Sequence, residues 1–137
     1  MTKNTNNTII SSGVRKKVLP SEARQVLTLD ATGQSLGRLA SRIAVLLQDK
    51  NKATFEPNKA GTTTVIVNNF SKIHFKGNKP KTKIYYKHTG YIGHLKEITL
   101  EKMWDKDPNR ILKMAVRGML PKNKLRDRRL KRLKINL

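Results

Sequence analysis

The chain has 137 residues, with 30 Lys or Arg against nine Asp or Glu, for a formal net charge of +21. So large an excess repels itself and calls for a polyanion, which makes nucleic acid the expected partner. The lack of Cys excludes disulfides, thiol catalysis and Cys-ligated zinc, and no apolar stretch approaches the roughly 20 residues of a membrane span.

One domain with tails is expected at this length. It divides into a polar arm over residues 1–24, an α/β domain over 25–121 and a basic extension over 122–137. The arm, MTKNTNNTIISSGVRKKVLPSEAR, is rich in Asn, Ser and Thr and holds one acid, Glu22. A transit peptide and a flexible arm both read this way, and such a segment has little to bury alone. Its cluster Arg15, Lys16 and Lys17 is a candidate for phosphate contact.

QVLTLD, at 25–30, predicts a near-continuously apolar strand, as in a sheet covered on both faces. Gly33 supplies a bend, and Ser35 is placed to cap a helix. Leu36, Leu39, Ala40, Ile43, Ala44 and Leu47 recur at helical spacing and predict an amphipathic helix over 36–48. The joint between the two, DATGQSLGRL, raises the question of a nucleotide loop. Gly33 and Gly37 are four apart and Arg38 follows, so neither a dinucleotide fingerprint nor a P-loop is met. Both glycines therefore read as structural, Gly37 letting the helix pack closely on the sheet. Arg38 stays free to meet an RNA phosphate where first-turn amides favour an anion.

TTTVIV, at 62–67, predicts a β-branched strand. Short strands are expected near Ile73 and Phe75 and in KTKIYYKH, followed by a glycine-bearing loop, TGYIGH. Thr99 caps a helix in TLEKMWDK. Asp107-Pro108 starts another, with Leu112, Ala115, Val116 and Met119 on its apolar face and Gly118 and Pro121 at its end. Glu101, Asp105 and Asp107 read as surface ion pairs with Lys102 and Lys106. Beyond Pro121, KNKLRDRRLKRLK has helical character, but its charge is expected to leave residues 122–137 disordered until RNA orders them. Strand–helix–strand order favours an α/β domain.

Catalysis finds no support. His74, His88 and His94 lack zinc spacing and an acid–base partner, so no catalytic residue, metal or cofactor is expected. The basic segments carry the signal. Residues 72–87 hold Lys72, Lys76, Lys79, Lys81, Lys83 and Lys87 and no acid, with Tyr85, Tyr86 and then Tyr91 beside them. Aromatics next to cations suit unpaired bases, although one of Tyr85 and Tyr86 is expected in the core. Residues 110–137 hold eleven Lys or Arg and one acid, Asp127. Arg110, Lys113 and Arg117 share one helix face there.

LDATGQSLGRLAS, NKPKTKIYYKHTGYIGHLK and AVRGMLPKN, in this order and spacing, resemble the large-subunit ribosomal protein family called L-thirteen, in its bacterial form. The resemblance spans residues 25–135. It implies a three-layer α/β/α domain around a central, largely parallel four-stranded sheet. It also implies a structural and assembly role on large-subunit rRNA beside neighbouring large-subunit proteins, in a bacterial cytoplasm or an organelle matrix, without enzyme activity. It carries rRNA contact to Lys79, His88, Thr89, Gly90, Tyr91 and Gly93, then to Arg117, Lys122 and Lys124. The basic segments add Arg38, Lys76, Lys81, Lys87, Arg126, Arg128, Arg129, Lys131 and Arg132. No membrane, small-molecule substrate or second copy of the chain is expected. The chain departs from the family's pattern at Val26-Leu27, where an aromatic pair is usual, at Arg126-Asp127, and at its LKINL ending, which leaves the path after Leu125 open. The alternative is a free nucleic-acid-binding protein of nucleoid or regulatory type, but neither a helix-turn-helix nor a dimer interface is visible.

Overall fold

The computed structural model describes residues 25–137; the arm, with Arg15, Lys16 and Lys17, lies outside them. Strand β1 (Val26–Asp30) runs parallel to β2 (Thr64–Asn68), and β2 runs parallel to β5 (Leu133–Ile135), in the order β1-β2-β5. Side chains alternate across a strand, so this register puts Leu27, Leu29, Val65, Val67, Leu133 and Ile135 on one face. Helix α1 (Leu36–Leu47) buries Leu39, Ala40, Ile43, Ala44 and Leu47, and these join that face in one core. Helix α4 (Pro108–Met119) adds Leu112 and Val116, and Leu120 follows just beyond it.

The opposite sheet face is open among the described residues. Val26 is 56% exposed, and Thr28 and Lys134 are also exposed. The near-continuous apolar run of β1 predicts cover on both sides, and among the described residues only one side has it. The parallel sheet has three strands among the described residues, not four. Where a strand was expected near Ile73 and Phe75, there is a 3-10 turn (Phe70–Lys72) and one isolated parallel bridge between Ser35 and His74. The cause is Asn69, whose left-handed φ of 56° turns the chain directly after β2.

A separate antiparallel pair consists of β3 (Ile84–His88) and β4 (Leu95–Thr99). The single turn α2 (Lys79–Thr82) precedes it and α3 (Leu100–Lys106) follows. Leu100, Met103 and Ile111 form a second core cluster beside the pair, with Phe75 and Tyr85 packed against it. Trp104 touches both cores, its ring 5.3 Å from Phe70 and edge-on to Phe75 at 5.1 Å. The caps of α3 and α4 are as expected: Thr99 accepts from the Lys102 amide and Asp107 from the Arg110 amide. Ser35 is not. It occupies the cap position of α1 with extended backbone, yet its hydroxyl makes no capping bond.

The basic C-terminal segment is part of the domain. Residues 122–137 carry α5 (Leu125–Leu130) and β5, so the expectation of a disordered extension is overturned. The reason is two arginines that turn inward. Arg129 is 1% exposed; its guanidinium donates to the carbonyls of Lys59 (2.8 Å), Ala60 (3.2 Å) and Pro57 (3.4 Å). Arg132 donates to the carbonyls of Leu47 (2.8 Å) and Ala60. Beside them Asp49 accepts from the Thr62 amide at 2.6 Å. Gly61 makes that approach possible: its φ is +87°, and a Cβ there would stand 2.8 Å from the Asp49 carboxylate.

Replacing Arg129 by Met strands the carbonyls of Pro57 and Lys59, while Arg132 still donates to that of Ala60. Arg129→Met is expected to lower the unfolding free energy by about 3 kcal/mol, whereas the exposed Arg128→Ala should stay within about 0.5 kcal/mol of the parent. Denaturant titration of both variants measures this. A second expectation concerns acid. Burial pushes the Asp49 carboxyl up, but the Thr63 hydroxyl, the Thr62 amide and the Lys52 ammonium (3.3 Å) together outweigh it and hold it below its ordinary 3.8. A carboxyl lowered by folding stabilises the fold above its unfolded pKa, and that contribution disappears as pH falls through the folded value. Asp49→Asn should therefore be less stable than the parent at neutral pH and lose less stability on acidification below 3.8, read by unfolding curves across that range.

Candidate nucleic-acid interface

The β1–α1 joint is closed by its own side chains. Asp30 accepts from the Thr32 amide (3.1 Å), the Thr32 hydroxyl (2.8 Å) and the Asn69 amide group (3.1 Å). These bonds, the Thr32 amide foremost, hold the Asp30 carboxyl below its ordinary range. Gly33 turns the chain at φ 67°, and its amide donates to the Lys72 carbonyl. The joint is thus a self-bonded turn. Gly37 does not bring the helix onto the sheet, contrary to expectation; a methyl added there would meet no atom within 4 Å. Arg38 is exposed on the first turn.

The loop between β3 and β4 is built for display. Gly90 (φ 96°) and Gly93 (φ 74°) adopt backbone that other residues disfavour. The Thr89 amide and hydroxyl both donate to the His94 carbonyl, and the Gly90 amide donates to His88 Nδ1 at 3.1 Å. Tyr91 is consequently 73% exposed and Ile92 fully so. Tyr86 also points outward, at 60%. Tyr85 is the inward member of its pair; burial pushes its phenol up, and the Lys83 ammonium stands 5.3 Å from its ring centroid. His88 has a part that sequence reasoning missed, as acceptor for the loop backbone. Ile92 was missed too, although an apolar residue between two loop glycines is a legible signal.

Lys76, Lys79, Lys81 and Lys87 are exposed along this region, and Arg117, Lys122, Lys124, Arg128 and Lys131 along α4 and after it. Arg126 and Arg132 are half-buried. Burial holds the Arg132 guanidinium below the usual arginine range, opposed by Asp49 and reinforced by Arg129. Arg129 leaves the surface altogether and is withdrawn from the candidate contacts, because its donors are directed at carbonyls inside the domain.

Among the described residues two ion pairs form, Lys52–Asp49 and Lys59–Glu56. The pairs expected of Glu101 and Asp105 do not form among them, and Asp107 serves as a cap instead. The cations of 72–87 and of the α4 face thus have no carboxylate partner among the described residues. No cluster of three His, Cys, Asp or Glu able to hold a metal is found there either, and no helix is long and apolar enough to cross a membrane. The fold does bring distant segments together: Arg38, Lys76 and Lys79 line one groove of about 1150 Å³ between the start of α1, the 74–85 segment and the end of α4.

Comparison with known proteins gives the same direction. The family model for ribosomal protein L13 matches residues 24–136. A protein of Chloroflexus aggregans named large ribosomal subunit protein uL13 is 50% identical over 117 residues, which cover 85% of this chain and 82% of the relative. Proteins of the same name from Clostridioides difficile and Alkalilimnicola ehrlichii are 48% and 45% identical over 112 residues, 82% of this chain and 78% and 79% of theirs.

The loop geometry separates two residues that otherwise look alike. Tyr91→Ala should leave the melting temperature unchanged, since the ring projects into solvent. His88→Ala removes the acceptor of the Gly90 amide and should speed hydrogen exchange at that amide severalfold, which NMR-detected exchange resolves.

Proposed function

The chain belongs to the ribosomal protein L13 family, and from that membership we propose how it serves the large ribosomal subunit. It is a structural, non-enzymatic constituent of that subunit, acting in translation. It binds large-subunit rRNA and supports assembly, entering as a single copy beside neighbouring large-subunit proteins. The observation that carries this reading is the pair of cationic surfaces that have no carboxylate partners among the described residues, one of which ends in an exposed aromatic loop.

The roles divide by chemistry. Lys76, Lys79, Lys81 and Lys87 neutralise phosphates on one surface, and Arg117, Lys122, Lys124, Arg128 and Lys131 on the other. Arg38 adds to the first, and Arg15, Lys16 and Lys17 extend the contact from outside the described residues. Arg126 and Arg132 contribute field rather than direct contact. Phosphate contacts position the protein without reading sequence. The loop His88–Gly93 adds a different term: its shape fits between strands, and Tyr91 offers a face on which an unpaired base stacks. The finer arrangement of three layers around a four-stranded sheet belongs to the same proposal, and the Ser35–His74 bridge beside the β1–α1 joint supports it. A free nucleoid or regulatory role is not favoured by any of these observations.

Neutralised phosphates release counterions, so log affinity for rRNA should fall linearly with log salt, by about 0.7–0.9 per contacted phosphate. Lys122→Ala with Lys124→Ala should flatten that slope by about 1.4–1.8 without changing the melting temperature. Filter binding of the purified chain to large-subunit rRNA over a salt series tests this. A flat response from the parent chain overturns the reading.

A further inference from the structure

The groove between α1, the 74–85 segment and α4 has an apolar floor and a cationic rim. Leu36, Phe75, Met114 and Met119 lie along it, Arg38, Lys76, Lys79 and Lys83 surround it, and none of its lining residues carries a carboxylate. Met114 and Met119 are 37% and 42% exposed, which leaves apolar surface uncovered inside a cationic ring. Ser41 ties the two helices across this floor, its hydroxyl lying 3.0 Å from the Gly37 carbonyl and 3.2 Å from the Met119 sulfur.

Two glycines line the groove for no reason internal to the fold. Gly37 sits in α1 and Gly118 in α4. Neither has a left-handed backbone, and a methyl added at either would meet no atom within 4 Å. Glycine is less favourable than alanine in a helix, so both helices are weakened without any gain in packing. What the two positions share is bare backbone on the walls of one groove. That is the shape needed where a flat group slides in closely.

We propose that this groove seats one unpaired, splayed-out nucleotide of large-subunit rRNA, its base against Gly37, Gly118 and the two methionines and its flanking phosphates on Arg38, Lys79 and Lys83. The inference rests on the rRNA-binding reading above and deepens it from phosphate contact to base contact. An apolar peptide would also fill the floor, but the carboxylate-free cationic rim matches a phosphodiester chain. RNA recognition commonly works on bases freed from their stack, and a base offers the flat face that a slot between two glycines accepts. The missing side-chain cap at Ser35 fits as well, since Ser35 lines the groove and its hydroxyl takes no first-turn amide of α1.

Gly37→Leu and Gly118→Leu fill the groove without altering charge, and Gly118→Ala adds a single methyl to the same wall. The full chain and these variants are tested against transcribed large-subunit rRNA by filter binding across salt, with base-reactivity probing of the complexes. The leucine variants should melt at or above the parent temperature, bind at least tenfold more weakly and keep the parent salt slope. One unpaired base protected by the parent should become reactive again. Gly118→Ala should bind more weakly than the parent but less so than the leucine variants, with the parent salt slope. Folded leucine variants with parental affinity and protection overturn the proposal. So does parental rRNA binding combined with failure to enter reconstituted large subunits, because the groove then takes a neighbouring protein. Should the leucine variants melt early, direct ultraviolet cross-linking of the parent chain to the rRNA decides: adducts on residues 36–38 or 114–119 support the proposal, and adducts confined to 88–94 overturn it. A parent chain without salt-dependent rRNA binding removes the underlying reading, which none of the variant results does.

Discussion

Arg129 and Arg132 hold the domain together at the place where its charge most strongly pushes it apart. A buried guanidinium is costly unless its donors find acceptors, and here main-chain carbonyls accept from both: those of Pro57, Lys59 and Ala60 from Arg129, and those of Leu47 and Ala60 from Nη2 of Arg132. These bonds join three segments that the chain separates: the end of α1, the polar connection after it and the basic C-terminal segment. Once α5 is fixed there, Leu133 reaches Val65, and β5 completes the parallel sheet. Without that clamp, α1 and β2 would still pack, but the apolar sheet face would end at Val65 and Val67.

The inward use of two cations changes how the net charge of +21 should be viewed. Arg132 has Asp49 nearby as a counter-charge, and Arg129 has carbonyl dipoles. Among the described residues almost every other cation is left outside, and two ion pairs form. Such a surface weakens the folded state by self-repulsion and strengthens its hold on a polyanion. Stability and binding therefore draw on separate residues: the clamp and the two apolar cores on one side, the solvated lysines and arginines on the other.

Local patterns were the legible part. The 0, 3, 4, 7, 8, 11 spacing located α1, the β-branched run located β2, and Asp107-Pro108 located the start of α4. The loop glycines announced the hairpin tip, and the family resemblance rested on the same motifs. What stayed hidden depended on partners distant in sequence. LKEIT alternates weakly and becomes β4 because β3 lies opposite it. Arg129 looks like every other arginine in RDRRLKR until the carbonyls it meets are known. Gly37 was taken for a close-packing residue because a glycine early in a helix beside a strand often is one, and only the empty space above it says otherwise. The groove is assembled from three stretches, so no window of sequence contains it.

The position of β5 has a kinetic consequence. Arg129 and its Lys59 partner are 70 residues apart, and the strand that follows Arg129 pairs with β2 in parallel. Closing so long a loop comes before any reward from the contacts made. On a chain still being synthesised, β1, β2 and α1 emerge well before the segment that completes their sheet. Until then β2 carries an unpaired edge on its β5 side, the kind of template that invites pairing with another chain. The residues of β5 thus act as an edge guard, and the vulnerable period of this protein is the interval between the emergence of Val65 and the docking of Leu133.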